Sequence, residues 1–182
     1  MNAIPLPLLP VATQPASTSS RLLSLKQLLL VALGSGLLVL ALWFLSGWYW
    51  FGINMSQSLP YHVVIIDKKW TTLTRGDFVV FVPRPSEFSA QFRGIQFFKQ
   101  VDGVAGDTVQ RDYRNISING RYVGFAMTRT LRGNVLNPID AQIIPAGMVY
   151  VRGDHPQSFD SRYQECGLVG QEQIVGKAHV LF

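Results

Sequence analysis

Residues 27–66 carry no aspartate, glutamate, lysine or arginine, and this uncharged window limits the folds open to the chain more than any other feature. Its first part, residues 28–51, is almost entirely leucine, valine, alanine, glycine and aromatic side chains. A helix crosses a bilayer core with about 20 apolar residues, so the stretch is long enough to span. Trp43, Trp48, Tyr49 and Trp50 gather toward its C-terminal end, where amphipathic rings favour the boundary between lipid and water. A buried helix of a soluble domain needs neither property. A cleaved secretory leader has an apolar region of about 7–15 residues closed by small residues, whereas this one is longer and ends Trp-Tyr-Trp-Phe. The sequence predicts an uncleaved, single-pass transmembrane anchor over residues 27–51.

Arg21 and Lys26 precede the anchor with no acidic residue among them, while the remainder carries both signs. Positive flanks stay on the cytoplasmic side. Residues 1–26, rich in proline, serine, threonine and alanine at their start, are therefore expected to be a flexible cytoplasmic tail. Residues 52–182 are expected to form one exported domain, which is all that 182 residues accommodate besides the anchor. The net charge of +5 is spread over Arg75, Arg84, Arg93, Arg111, Arg114, Arg121, Arg129 and Arg132 without a dense run. No nucleic-acid partner is expected, and attraction to anionic lipid headgroups explains the charge equally well. One cysteine and three scattered histidines exclude an internal disulfide and argue against a metal site; no cofactor is expected. Cys166 reads as a small buried hydrophobe.

Beyond the anchor the chain reads as mainly β. Short β-branched or aromatic runs lie at 63–66, 77–82, 97–101, 108–110, 115–118 and 148–151. Asn119-Gly120, between Ile118 and Tyr122-Val123, is a strong hairpin signal. Helical periodicity is weak and no repeat occurs. One domain of antiparallel sheets, or a partial barrel, follows.

Three polar fragments stand out against this background. Ser56 and Ser58 alternate, so an extended segment would turn both to one side, one to attack and the other to donate to an oxyanion; a polar turn is the plainer reading. Lys99 sits in Phe-Phe-Lys-Gln-Val. Apolar neighbours lower the pKa of an ammonium and make it a usable general base, although a strand lysine also serves as a guard against edge aggregation. Ser158, Asp160 and Arg162 alternate as well: Ser158 is placed to orient a lysine amine, and Asp160 and Arg162 to pair and hold the loop.

The order Ser-x-Ser, then Phe-Lys-x-Val-x-Gly-x-x-Gly-Asp-x-Val, then Gly-Asp with Ser-x-Asp-Ser-Arg resembles the type I signal peptidase family of Ser–Lys proteases. Arg75-Gly76-Asp77-Phe78-Val79-Val80-Phe81 is similar to that family's Gly-Asp strand between nucleophile and base. The likeness runs from about Asn54 onward. Within the family, Asn54, Ser56, Ser58 and Pro60 resemble the Asn-x-(Ser/Thr)-x-Ser-x-Pro segment of the TraF-type peptidases of conjugative transfer systems. General signal peptidases favour methionine after the nucleophile; here Leu59 follows Ser58. Tyr61-His62-Val63 stands where that group has Gly-Leu-Tyr.

The resemblance implies a signal-peptidase-like fold, Ser58 as nucleophile with Ser56 as its rival, Lys99 as general base, and Ser56, Ser158, Asp160 and Arg162 in support. It implies a serine endopeptidase of the bacterial inner membrane with its catalytic domain in the periplasm. Its partners would be the bilayer and a precursor bearing a leader peptide, expected to be a pilin matured among pilus-assembly components. A housekeeping signal peptidase and a non-catalytic anchored subunit of a secretion channel are the alternatives. A Ser-His-Asp triad through His155 is disfavoured by its turn-forming neighbours. Residues 170–177 mimic a phosphate loop but lack its spacing and its following Ser or Thr. The Arg-Gly-Asp triplets at Arg75 and Arg152 read as turns beside strands.

Overall fold

The computed structural model describes residues 24–85, 92 and 94–182; residues 1–23, with Arg21 and most of the expected tail, lie outside them, as does Arg93. Helix α1 (Leu25–Ser46) opens on a capping box. The Gln27 amide donates to Ser24 Oγ at 3.4 Å, and the Ser24 amide donates to Gln27 Oε1 at 2.9 Å. Its 22 residues span roughly 33 Å at 1.5 Å each, and none of its side chains is buried. Tight bonds from Gly47 and Trp48 back to Phe44 and Leu45 end it. The helix thus stops short of Phe51, where the expected anchor ended. Residues 49–51 instead enter strand β1 (Tyr49–Ile53), which finds a ladder partner in β2 (Val63–Asp67), with Trp50 opposite Ile66.

Nine further strands follow. They are β3 (Phe78–Phe81), β4 (Phe97–Gly103), β5 (Thr108–Asp112), β6 (Asn115–Ile118), β7 (Arg121–Phe125), β8 (Gln142–Ile143), β9 (Met148–Arg152), β10 (Val169–Gly170) and β11 (Ile174–Val180). Among the described residues they form a seven-stranded sheet, β1-β2-β11-β3-β4-β9-β10, and a four-stranded sheet, β7-β6-β5-β8. Adjacent strands run antiparallel, so the expected mainly antiparallel β architecture is what the chain adopts. The Asn119-Gly120 turn has both residues at positive φ, 50° and 79°, the geometry a two-residue hairpin requires.

The core divides along the faces of the large sheet. Val64, Ile66, Val80, Phe98 and Ala178 pack with Leu59 on one side, while Val79, Phe81, Val101, Val151, Cys166 and Val169 pack on the other. Lys99 lies directly across from Val79, so its side chain belongs to the second face. A third cluster, including Val109, Ile116, Ile118, Ile144 and Tyr150, fills the small sheet.

Asp107 fastens the turn that follows β4. Its carboxylate pairs with Arg75 through two guanidinium hydrogen bonds and accepts from the Val104 amide at 2.8 Å and from Asn119 Nδ2 at 2.9 Å. The Arg75 hydrogen bond above all holds its carboxyl down to a pKa of about 2. An unfolded aspartate titrates near about 3.9. The stabilisation is therefore complete above that value and is lost as pH falls toward 2. Asp107→Asn is expected to lower the melting temperature at pH 7 and to flatten the acid limb of a melting-temperature profile between about pH 4 and 2. Unchanged melting from pH 7 to 2 in both proteins would contradict this.

Candidate active site

Residues 54–60 leave β1 through bends and turns and not as an extended segment, so simple alternation does not orient Ser56 and Ser58. The side chain of Asn54 orders the loop instead. Its Nδ2 donates to the carbonyls of Leu59 (3.2 Å) and Tyr61 (2.8 Å), and its Oδ1 accepts from the amide (3.0 Å) and hydroxyl (2.8 Å) of Ser56. These bonds reach both sides of Ser58. Leu59 plugs the loop into the core beside Val80 and Phe98, and Tyr61 meets Phe78 edge-on at 5.2 Å. Ser56 is exposed and Ser58 half-buried.

Lys99 is only 4% exposed, and no hydrogen bond or ion pair joins it to another described residue. Its ammonium lies 5.6 Å from the centre of the Phe97 ring. Burial pulls its pKa below the usual lysine value; the carboxylate of Asp160 opposes that shift and Arg162 adds to it. Burial also pushes the Cys166 thiol far up, so Cys166 stays a neutral packing residue.

The loop after β9 is built around a buried ion pair. Asp160 and Arg162 are 0% and 3% exposed. Their two parallel hydrogen bonds measure 2.8 and 2.9 Å, the fork geometry that arginine and carboxylate share. The guanidinium also donates to the carbonyls of His155, Pro156 and Ser158. Asp160 Oδ2 accepts from the Gly153 amide at 2.9 Å. This clamp presents the His155 amide to the Ser58 carbonyl at 3.3 Å. The His155 ring makes a different bond, its Nδ1 accepting from the Gln157 amide. A Cβ on Gly153 would lie 2.3 Å from Ser158 Oγ and 2.9 Å from the Ser58 carbonyl oxygen, so only glycine fits there.

Ser158 Oγ is buried and makes no hydrogen bond; the expected bond from it to Lys99 is not formed in this structure. Ser161, which sequence reading did not single out, locks the same loop. It accepts from the Val151 amide at 3.0 Å and donates to the Gly167 carbonyl at 2.7 Å.

Ser56, Ser58 and Lys99 line one cavity of about 620 Å³, walled by Gly52, Ile53, Ile66, Val80, Phe97, Phe98 and Phe159. A hydroxyl, an amine whose pKa is lowered and apolar walls suit acyl transfer on a peptide. Among the described residues no group of histidine, cysteine or carboxylate side chains could hold a metal ion.

Comparison with known proteins bears on the same stretch of chain. The family model for signal peptidase, peptidase S26, matches residues 22–182. No curated protein matches. A solved structure to which the chain is similar is signal peptidase I from Enterococcus faecalis V583, at 23% identity, covering 59% of this chain and 97% of that one with a TM-score of 0.37. The match to the family model takes in the whole domain, the serine loop, the buried lysine and the clamped Asp-Ser-Arg turn together, and the chain belongs to the signal peptidase family of serine peptidases, peptidase S26.

Proposed function

We propose that this chain is a membrane-anchored Ser–Lys endopeptidase in which Ser58 attacks and Lys99 is the general base. The observation that carries the reading is the burial of Lys99, unpaired among the described residues, on the wall of the cavity that also holds Ser58. A neutral Lys99 amine takes the Ser58 proton as Oγ bonds to the scissile carbonyl carbon. The Ser58 amide and the Ser56 hydroxyl, once released from Asn54, hold the oxyanion. The resulting ammonium gives its proton to the departing amine, and the C–N bond breaks to leave an acyl-Ser58. Lys99 then takes a proton from water as the water oxygen bonds to the acyl carbon, and returns it to Ser58 Oγ as the ester C–O bond breaks, which frees the leader as a carboxylic acid and restores the enzyme. Asp160 and Arg162 position the loop that meets Ser58, with Ser158 beside it.

Signal peptidases act on precursor proteins that carry leader peptides. We assign the substrate here more narrowly to a pilin-like protein of a conjugative system, on the Asn54-x-Ser56-x-Ser58-x-Pro60 pattern and on leucine, not methionine, after Ser58. The apolar, unburied α1 serves as the anchor, with Arg21 and Lys26 on the cytoplasmic side and the catalytic domain in the periplasm. Ser58 lies 12 residues after the helix end at Ser46, close to the bilayer in which such precursors are themselves tethered.

Acid quenching during turnover of a precursor peptide should trap the acyl group, and peptide mapping should place it on Ser58. Ser56→Ala should lose about 10²–10³-fold in kcat, the usual cost of one oxyanion donor, and still acylate Ser58. An acyl group on Ser56 would overturn the assignment. A strain lacking the protein should accumulate uncleaved pilin precursor while other exported proteins mature normally; general arrest of export processing would favour the housekeeping reading.

A further inference from the structure

The first charges after the uncharged window are Asp67, Lys68 and Lys69, and both lysines turn back to the end of α1. The Lys68 ammonium donates to the Ser46 carbonyl at 3.1 Å and lies 3.8 Å from the centre of the Trp50 ring. The Lys69 ammonium lies 3.3 Å from the centre of the Trp48 ring, which in turn meets Phe44 at 6.0 Å. The Lys68 amide donates to the Trp48 carbonyl at 2.9 Å, which carries the β1–β2 ladder one residue beyond Tyr49 and Asp67. Asp67 Oδ1 accepts from the Lys69 amide at 2.8 Å and orders the turn that carries both lysines.

The cations at this joint come from far along the chain. The last turn of α1 holds no basic residue, so its free carbonyls, and the partial negative charge they sum to, have no cation of the helix's own. Lys68, 22 residues after Ser46, supplies one. Neither lysine forms a salt bridge among the described residues; their charge rests on one carbonyl and on the faces of two indoles. Only Gly47 and Trp48 separate the helix from β1, and the ring contacts and hydrogen bonds remove the freedom those two residues would otherwise have. Leu42–Phe182 form one compact unit, so the final turn of the helix belongs with the sheet domain.

We propose that Lys68 and Lys69 are positioning residues. By bracing the last turn of α1 to the β1–β2 ladder they hold the serine loop at one height over the lipid boundary, and so select which bond of a membrane-tethered precursor is cut. The inference rests on Ser58 and Lys99 as the catalytic pair and on α1 as the anchor. β1 runs from the brace directly into the serine loop, where the Asn54 side chain holds Ser56 and flanks Ser58. A precursor held by its own leader presents each of its bonds at a height set by the lipid. Two partners tethered to one surface react fastest when the tether matches the span between the reacting groups, and a slack tether spreads one of them over unproductive positions.

The test uses the full chain in vesicles of neutral phosphatidylcholine and two substrates that share one cut. One is a precursor with its leader in the same bilayer; the other is a short water-soluble peptide without the leader's apolar segment. The double variant Lys68→Gln with Lys69→Gln should cleave the short peptide like wild type and lose on the order of tenfold in kcat/KM on the tethered precursor, less than a fixed misplacement of the reacting atoms costs. Moving the cut three residues, roughly 10 Å of extended chain, farther from the leader should harm cleavage by wild type more than by the double variant. Lys68→Arg with Lys69→Arg should restore the wild-type pattern, because a guanidinium also stacks on indole. An unchanged rate on the tethered precursor, an equal loss on both substrates, or a loss confined to vesicles containing anionic phosphatidylglycerol would each overturn the brace. If Ser58→Ala cleaves the short peptide as fast as wild type, the catalytic reading falls and the positioning of Ser58 falls with it.

Discussion

Lys99→Met is expected to abolish cleavage and, in the same protein, to raise the melting temperature. Methionine fills nearly the same volume with no group to desolvate. The wild-type lysine holds a pKa below its ordinary value because burial disfavours its charged form. Between that lowered value and the unfolded value, near about 10.4, the folded state binds fewer protons than the unfolded state. Wild-type stability therefore rises with pH across this window and is penalised at neutral pH and below. Removing the amine should gain about 1 kcal/mol or more at pH 7, a shift of roughly 3–5 °C. Thermal melts and peptide cleavage on one preparation check both halves. A variant that still cleaves, or one that melts earlier than wild type at pH 7, would contradict the account.

With Lys99 as the proposed general base, the same titration is expected to govern rate. A general base works when deprotonated, so kcat/KM should climb from neutral into mildly alkaline pH as Lys99 loses its proton. A histidine base would level off near about 6.5. His155→Ala should leave the midpoint where it is, because among the described residues the ring's hydrogen bond is the one it accepts from the Gln157 amide. A plateau by about pH 7 that disappears in this variant would point to histidine catalysis.

Arg162→Met should be the most destabilising single change in the domain. It strands the carboxylate of Asp160, which has no exposed surface, and frees the carbonyls of His155, Pro156 and Ser158. Breaking a buried pair from one side costs about 3–5 kcal/mol, or roughly 10–15 °C in a domain of this size. Exchanging both partners for apolar residues should cost less than the single change, since no buried charge is then left alone. Melts of the single and double variants test this; an Arg162→Met protein within about 2 °C of wild type would refute it.

Much of this fold was legible because its strands are locally consistent. The β-branched or aromatic runs at β2, β3, β4 and β9 and the Asn119-Gly120 turn each announce themselves within a few residues. Four strands were not foreseen: β8 and β10, of two residues each, are too short for a local pattern, and β1 and β11 were hidden for opposite reasons. β1 continues the apolar composition of the helix, and only its ladder with β2 separates the two. β11 is broken by Gly176, Lys177 and His179, and Gly176-Lys177 closes a stretch that imitates a phosphate loop. Gly176 is there because a Cβ would lie 2.6 Å from the Asp67 carbonyl oxygen, a contact that needs the folded sheet to exist. The serines, the lysine and the Asp-Arg pair were readable as motifs. The four bonds of Asn54, the tightness around Gly153 and the role of Ser161 were not, because each depends on backbone groups brought near by the fold.

The position of β11 bears on when activity can begin. It lies between β2 and β3, so the strand after the serine loop and the strand beside the lysine have no direct pairing with each other. Both wait for a partner more than a hundred residues later than β2 in the chain. Pairings so distant in sequence form late and slowly. Until β11 is in place, then, the serine loop and the lysine strand lie in segments that it has not yet joined. On the proposed pairing of Ser58 with Lys99, activity is expected to begin only once β11 has taken its place between β2 and β3.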